Sequence, residues 1–133
     1  MSGEDQFLQE EQAEISLALS MIEELTGRPK LSQFEVISLG TLVQNVYTGV
    51  ERILRLRLLN HGIAIERGPT WHKDLLLRAS ERGLIDRGQF EGLGELLAFR
   101  HMHVHGYGHK LKEPRLRGLA ASVPALVRDV LKQ

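Results

Sequence analysis

Between residues 98 and 110 the chain reads AFRHMHVHGYGHK, which brings Arg100, His101, His103, His105, Tyr107 and His109 together. Histidine titrates near neutrality and can serve as general base or general acid. Arginine offers a fixed fork of donors to phosphate oxygens and stabilises charge developing on phosphorus. Tyrosine can hydrogen-bond a phosphate or stack on a base. RNA carries its own nucleophile, the 2′-hydroxyl, so these three side-chain types could cleave its backbone without a metal. Two other readings stand beside this one. His101 and His105 are four apart and share a face of a helix, as zinc-binding histidines do, but zinc needs a third protein ligand. No Asp or Glu lies between Glu95 and Glu113, so His72 or His109 could complete such a set only through the tertiary fold. A histidine-rich stretch can also be a plain helix end, where protonated imidazoles suit the negative pole of the dipole.

The elements that must position these residues are helical nearly throughout. Ile15, Ala18, Ile22 and Leu25 mark one apolar stripe, halted at Gly27-Arg28-Pro29. Ser32 and Glu35 are spaced for a capping box. From there Leu39, Val43, Val46, Val50, Ile53 and Arg57 step by four and three to Asn60, closed by Gly62. GIAIERGPT reads as a loop whose Thr70 caps a short helix with Trp71, Leu75, Leu76 and Ala79, ending at Gly83. Asp86 caps a fourth helix with Phe90, Leu93, Leu97 and Val104 on one face, ending near Gly106 and Gly108. A last helix carries Leu119, Val123, Leu126, Val127 and Val130, with Pro124 either inside it or in a first turn capped by Ser122. No period-two alternation persists. The expected fold is therefore all-α, an antiparallel up-and-down bundle of four to five helices filling residues 1–133 as one domain.

On such a fourth helix the stripe of Leu93, Leu97 and Val104 has Arg100 on one shoulder, with Tyr107 nearly above it. His101 and His105 lie on the other shoulder, and His103 points away. Arg100 and His105 are about 140° apart on an ideal helix, too far for one compact site. Two copies packed about a two-fold axis would bring the arginine of one to the histidine of the other. Alternatively, the glycines unwind the helix end and swing His105 inward.

Composition narrows the classes. Apolar content of 42% suits a globular chain, and no cysteine is present, which excludes disulfides and cysteine nucleophiles. No apolar run approaches the roughly 20 residues of a membrane span, and the acidic start MSGEDQFLQEEQ is unlike a signal peptide. A soluble, cytoplasmic protein without membrane partners is the expectation. Net charge is zero, but basic residues dominate from Arg100 to Arg117, so one cationic face is still available to an anionic partner. Ser-His-Asp order, a Walker loop and a full dinucleotide fingerprint are missing; GLGELL lacks a preceding strand.

The motif Arg100-x4-His105-x-Tyr107, preceded by LLAF and late in a helical chain, resembles the HEPN superfamily. More narrowly, FRHMHVHGYG, with YTGVERILR and WHKDLL earlier, resembles the HepT-like ribonuclease toxins of MNT–HEPN toxin–antitoxin systems. The resemblance implies an HEPN-like bundle working as a homodimer and cleaving RNA without metal or other cofactor. Arg100 and His105 would be the catalytic pair. Tyr107 would be the hydroxyl that a cognate minimal nucleotidyltransferase antitoxin modifies with AMP, in a complex of the two proteins that could be of higher order. Bulky, anionic adenylate beside Arg100 would block the cleft and repel phosphate. His101, His103, His109, Lys110, Trp71 and His72 are candidate RNA contacts. The alternative is a non-catalytic module that binds substrate for a partner nucleotidyltransferase. Elsewhere, Tyr47 and Glu51 share a helix face and read either as cleft residues or as a core tyrosine with a surface glutamate. Trp71 doubles as a packing anchor, and Arg52, Arg55 and Arg57 either track phosphate or solvate the second helix.

Overall fold

The computed structural model describes residues 3–104 and 113–132, with the side chains of residues 103 and 104 outside the description. Five helices follow one another: α1 (Gly3–Thr26), α2 (Gln33–Asn60), α3 (Trp71–Glu81), α4 (Arg87–Val104) and α5 (Glu113–Leu131). No strand occurs among the described residues. Helix α2 packs on all four others, α1 also on α5, and α3 also on α4, so the bundle is built around α2. None of these helices is long and apolar enough to cross a membrane.

Local chemistry sets most of the helix ends. Ser32 accepts from the Glu35 backbone N–H while Glu35 accepts from that of Ser32, at 3.1 and 2.8 Å, a complete capping box. Asp86 and Gln89 repeat the arrangement at the start of α4, with both bonds at 2.8 Å. The Nε2 of buried Gln89 then donates to Asp129 Oδ2 at 2.7 Å, which ties that cap to α5. Gly62 and Gly83 follow α2 and α3 with φ of +79° and +74°, a left-handed conformation that closes a helix and that other residues enter only at a cost. The expected cap at Thr70 is different. Its hydroxyl reaches the Asp74 carboxylate at 3.4 Å rather than a backbone N–H, and its ψ of 21° is not that of a capping residue. Pro124 lies inside α5, which starts at Glu113, and Ser122 donates to the Leu119 carbonyl instead of capping.

A helix with four neighbours needs more than one buried face. Helix α2 buries the expected stripe of Leu39, Val43, Val46, Val50 and Ile53 together with a second one, Gly40, Tyr47, Glu51, Leu54 and Leu58. Glu51, for which a surface position was one of two readings, is thus 4% exposed. On α4 the buried face is also turned from the expected stripe. Leu93, Leu96 and Phe99 are buried, while Phe90 and Leu97 are only partly so. Arg100 follows Leu96 by four and Leu93 by seven, which places it on this inner face.

Arginines from neighbouring helices close two C-termini. Helix α1 has no basic residue in its last turn; Arg117 of α5 donates to the carbonyls of Thr26 and Arg28 at 3.4 and 2.7 Å. Arg57 reaches Val130 and Leu131 carbonyls at the end of α5, both at 3.2 Å. Orphan carbonyls and the negative helix pole both favour a cation there. Arg57, read from sequence as a phosphate contact or a solvating residue, is therefore a structural cap. Arg57→Met should lower the free energy of urea unfolding by about 1–3 kcal/mol. Gly49 is the other sensitive point, because a Cβ there would lie 2.9 Å from buried Ile15 of α1. Helix propensity alone favours alanine by about 1 kcal/mol. Overpacking at the α1–α2 contact should reverse the sign, and Gly49→Ala should destabilise by about 1–3 kcal/mol in the same measurement.

Candidate functional site

The second stripe of α2 builds a polar cluster against α3 and α4. Glu51 Oε2 is 2.6 Å from His72 Nδ1, a contact between α2 and the first turn of α3. An ionised carboxylate only accepts, so the Nδ1–H donates and the ring is held in one orientation. Tyr47, fully buried one turn earlier, has Glu51 and Arg100 as its charged neighbours. Burial and the nearby Glu51 carboxylate push the phenol far above its ordinary pKa, opposed only in part by the Arg100 guanidinium. Its hydroxyl lies close to that carboxylate without completing a well-formed hydrogen bond.

Arg100 enters the cluster from α4. Its Nε is buried and has no hydrogen-bond partner among the described residues. A buried, unsatisfied donor on a charged group is costly and rare. The guanidinium borders a pocket of about 200 Å³ that Thr48, Glu51, Arg52 and Arg55 of α2 line together with Arg67 and Trp71. Thr48, Glu51, Arg52 and Arg55 fall at three- and four-residue steps and so present one wall. Trp71 lines the pocket from the first turn of α3. Its ring lies 5.7 Å from Arg55 Cζ and 5.3 Å from Arg67 Cζ, and its centroid is 3.8 Å from that of His72.

The electrostatic balance of this pocket is positive. Arg52 pairs with Glu11 at 3.0 Å, and Glu51 is engaged by His72. Arg55, Arg67 and Arg100 have no carboxylate partner among the described residues. Three unneutralised guanidiniums around one concavity favour an anion, and arginine forks match phosphate oxygens.

Of the site residues expected from sequence, the structure brings Arg100 and Trp71 to one pocket, with His72 bonded to its Glu51 wall. His101 is exposed on α4. His103 belongs to α4, but its side chain is outside the description, and His105, Tyr107, His109 and Lys110 lie outside the described residues altogether. Sequence reasoning overlooked Arg67, whose only local signal was its place in the loop four residues before the single tryptophan. Of the two readings of Glu51, cleft residue or surface glutamate, its place in the pocket wall on the Tyr47 face of α2 favours the first.

The unsatisfied Tyr47 hydroxyl makes a stability test possible. Burying a hydroxyl without a good partner costs about 1–3 kcal/mol, and phenylalanine removes that cost while keeping the ring. Tyr47→Phe should therefore melt at the same temperature as the parent or higher; a clear drop would show that the hydroxyl makes a stabilising bond.

Comparison with known proteins agrees with the helical architecture. Searches of curated proteins and of solved structures found no match. A family described as HepT-like protein matches residues 38–133, from the first buried turn of α2 to the C-terminus. The matched region includes every residue lining the arginine–tryptophan pocket and leaves out α1, which packs on α2 and α5. With most of its length matched in this way, the chain belongs to the HepT-like proteins of the HEPN superfamily.

Proposed function

We propose that this chain is a ribonuclease toxin that cleaves cellular RNA without a metal ion, working in the cytoplasm as a homodimer of one-domain subunits. The HepT-like family is in general one of HEPN ribonucleases, with RNA as substrate and dimers as the usual assembly. The observation that carries the reading is Arg100: a guanidinium with an unpartnered, buried Nε, bordering a pocket whose other free charges are also arginines.

In the proposed reaction His105 accepts the proton of a ribose 2′-hydroxyl. The 2′-oxygen attacks the adjacent phosphorus, and the bond to the 5′-oxygen breaks as that oxygen takes a proton from water, the hydroxide so formed being neutralised by the proton on His105. The products are a 2′,3′-cyclic phosphate and a 5′-hydroxyl. Arg100 stabilises the additional negative charge on the phosphoryl oxygens. In a dimer, Arg100 of one protomer serves the phosphate together with His105 of the other. Tyr107 receives AMP from a nucleotidyltransferase antitoxin, and the added phosphate competes for the charge on Arg100. His101, His103, His109 and Lys110 are the further RNA contacts of this reading.

Cleavage of cellular RNA by the purified protein should persist in EDTA; loss of activity on chelation would contradict the mechanism. His105→Ala should reduce the cleavage rate by about 10²–10⁴-fold while leaving the helical circular dichroism unchanged. Full toxicity of that variant would remove His105 from the reaction. Expression of the chain alone should arrest growth, whereas a non-catalytic module that binds substrate for a nucleotidyltransferase would be harmless.

A further inference from the structure

Arg55 and Arg67 are placed in an unusual way for structural arginines. Each lies over the indole of Trp71, at 5.7 and 5.3 Å from its centroid, and neither pairs with a carboxylate among the described residues. Elsewhere in the fold the arginines that hold helices together do so through carboxylates or carbonyls, as Arg52, Arg57, Arg117 and Arg128 do. Contact with the ring face orients a guanidinium but uses none of its N–H donors. Arg55 is half-buried on α2, while Arg67 is exposed in the loop before α3 and adds little to the core. The stack therefore keeps two charged forks ready, without neutralising them, beside the pocket that Arg100 borders.

We propose that Trp71, Arg55 and Arg67 form a subsite for one nucleotide of single-stranded RNA flanking the phosphate at Arg100. The guanidiniums take its phosphate, and its base lies on the indole–arginine stack. The proposal rests on the ribonuclease reading and assigns where the strand runs away from the cut. Size separates the two parts of the ligand. At about 200 Å³ the pocket lies below the range of sites that enclose a whole small molecule, and it suits backbone phosphate rather than a complete nucleotide. The base is then left at the rim, where Trp71 is half-buried and Arg67 exposed. A planar guanidinium on an indole offers the kind of surface on which unpaired bases stack without regard to sequence. Thr48 supplies a neutral hydroxyl to the same wall, and the one carboxylate, Glu51, is engaged by His72.

Trp71 is the only tryptophan in the chain, so its fluorescence reports this place alone. A 2′-O-methyl hexanucleotide lacks the nucleophilic hydroxyl and cannot be cleaved by the proposed reaction. Titrated into the full-length protein, it should quench Trp71 emission to saturation, and the affinity should fall steeply with salt. Arg67→Ala, in an exposed loop, should weaken binding about fivefold or more and raise KM for RNA cleavage while leaving kcat within about twofold. Arg87→Ala, an exposed arginine paired with Glu91 at the start of α4, should change neither. If the labelled hexanucleotide binds by anisotropy without altering Trp71 emission, or with unchanged affinity in Arg67→Ala, the subsite is refuted and the ribonuclease reading is untouched. Absence of any binding refutes the subsite as well. AMP quenching as strongly as the hexanucleotide at equal concentration would assign the place to free nucleotides and overturn the proposal. Quenching that depends on Arg67 in a protein that cuts no RNA would uphold the subsite and discard the nuclease.

Discussion

Helix α2 touches every other helix, and so it can leave little of its middle to water. That single packing constraint governs what its residues become. Apolar side chains at three- and four-residue steps fill two faces, and each polar group caught between them must find a partner or remain a cost. Glu51 finds His72, whereas the Tyr47 hydroxyl reaches no well-formed bond. Gly49 has no side chain because Ile15 of α1 occupies the space. The long helix is thus both the scaffold of the core and one wall of the candidate site.

The same constraint separates two uses of arginine. Where a helix end meets a neighbour, as at Arg57 and Arg117, the guanidinium satisfies terminal carbonyls and its charge opposes the negative helix pole. Around Trp71 the guanidiniums meet an aromatic face instead, and their donors stay available. Net charge across the whole chain is zero, so the cationic character of this pocket comes entirely from distribution. Acidic residues concentrate in α1 and at exposed helix ends, and the one carboxylate in the pocket wall is held by histidine. A neutral protein can thereby present a local attraction for phosphate that its composition hides.

The polar cluster also gives Arg100 a defined approach. Leu93 and Leu96 anchor the inner face of α4, and Arg100 continues that face toward the Tyr47–Glu51 side of α2. A guanidinium held at the edge of a packed core loses less freedom on binding an anion than one on a free surface. Because the buried Nε lacks a partner, part of the cost of desolvating the group has been met by folding.

What could be read from sequence was what local physics decides. The two helix starts at Ser32 and Asp86 follow from side chains reaching backbone N–H groups three residues away, and the stops at Gly62 and Gly83 follow from backbone freedom at a left-handed position. The first stripe of α2 was equally legible because every member but Arg57 is aliphatic. Its second stripe was obscured, since Gly40, Tyr47 and Glu51 do not register as apolar. On α4, Leu96 and Leu97 are adjacent and equally hydrophobic, so periodicity could not choose the inner one; packing against α2 and α5 chose Leu96 and turned Arg100 inward with it. The spacing of Arg100, His105 and Tyr107 pointed to the family and to a chemistry. Only the tertiary structure joined Arg100 to Trp71, Arg55 and Arg67, because groups drawn from α2, a loop, α3 and α4 share no local period and meet only when the helices pack.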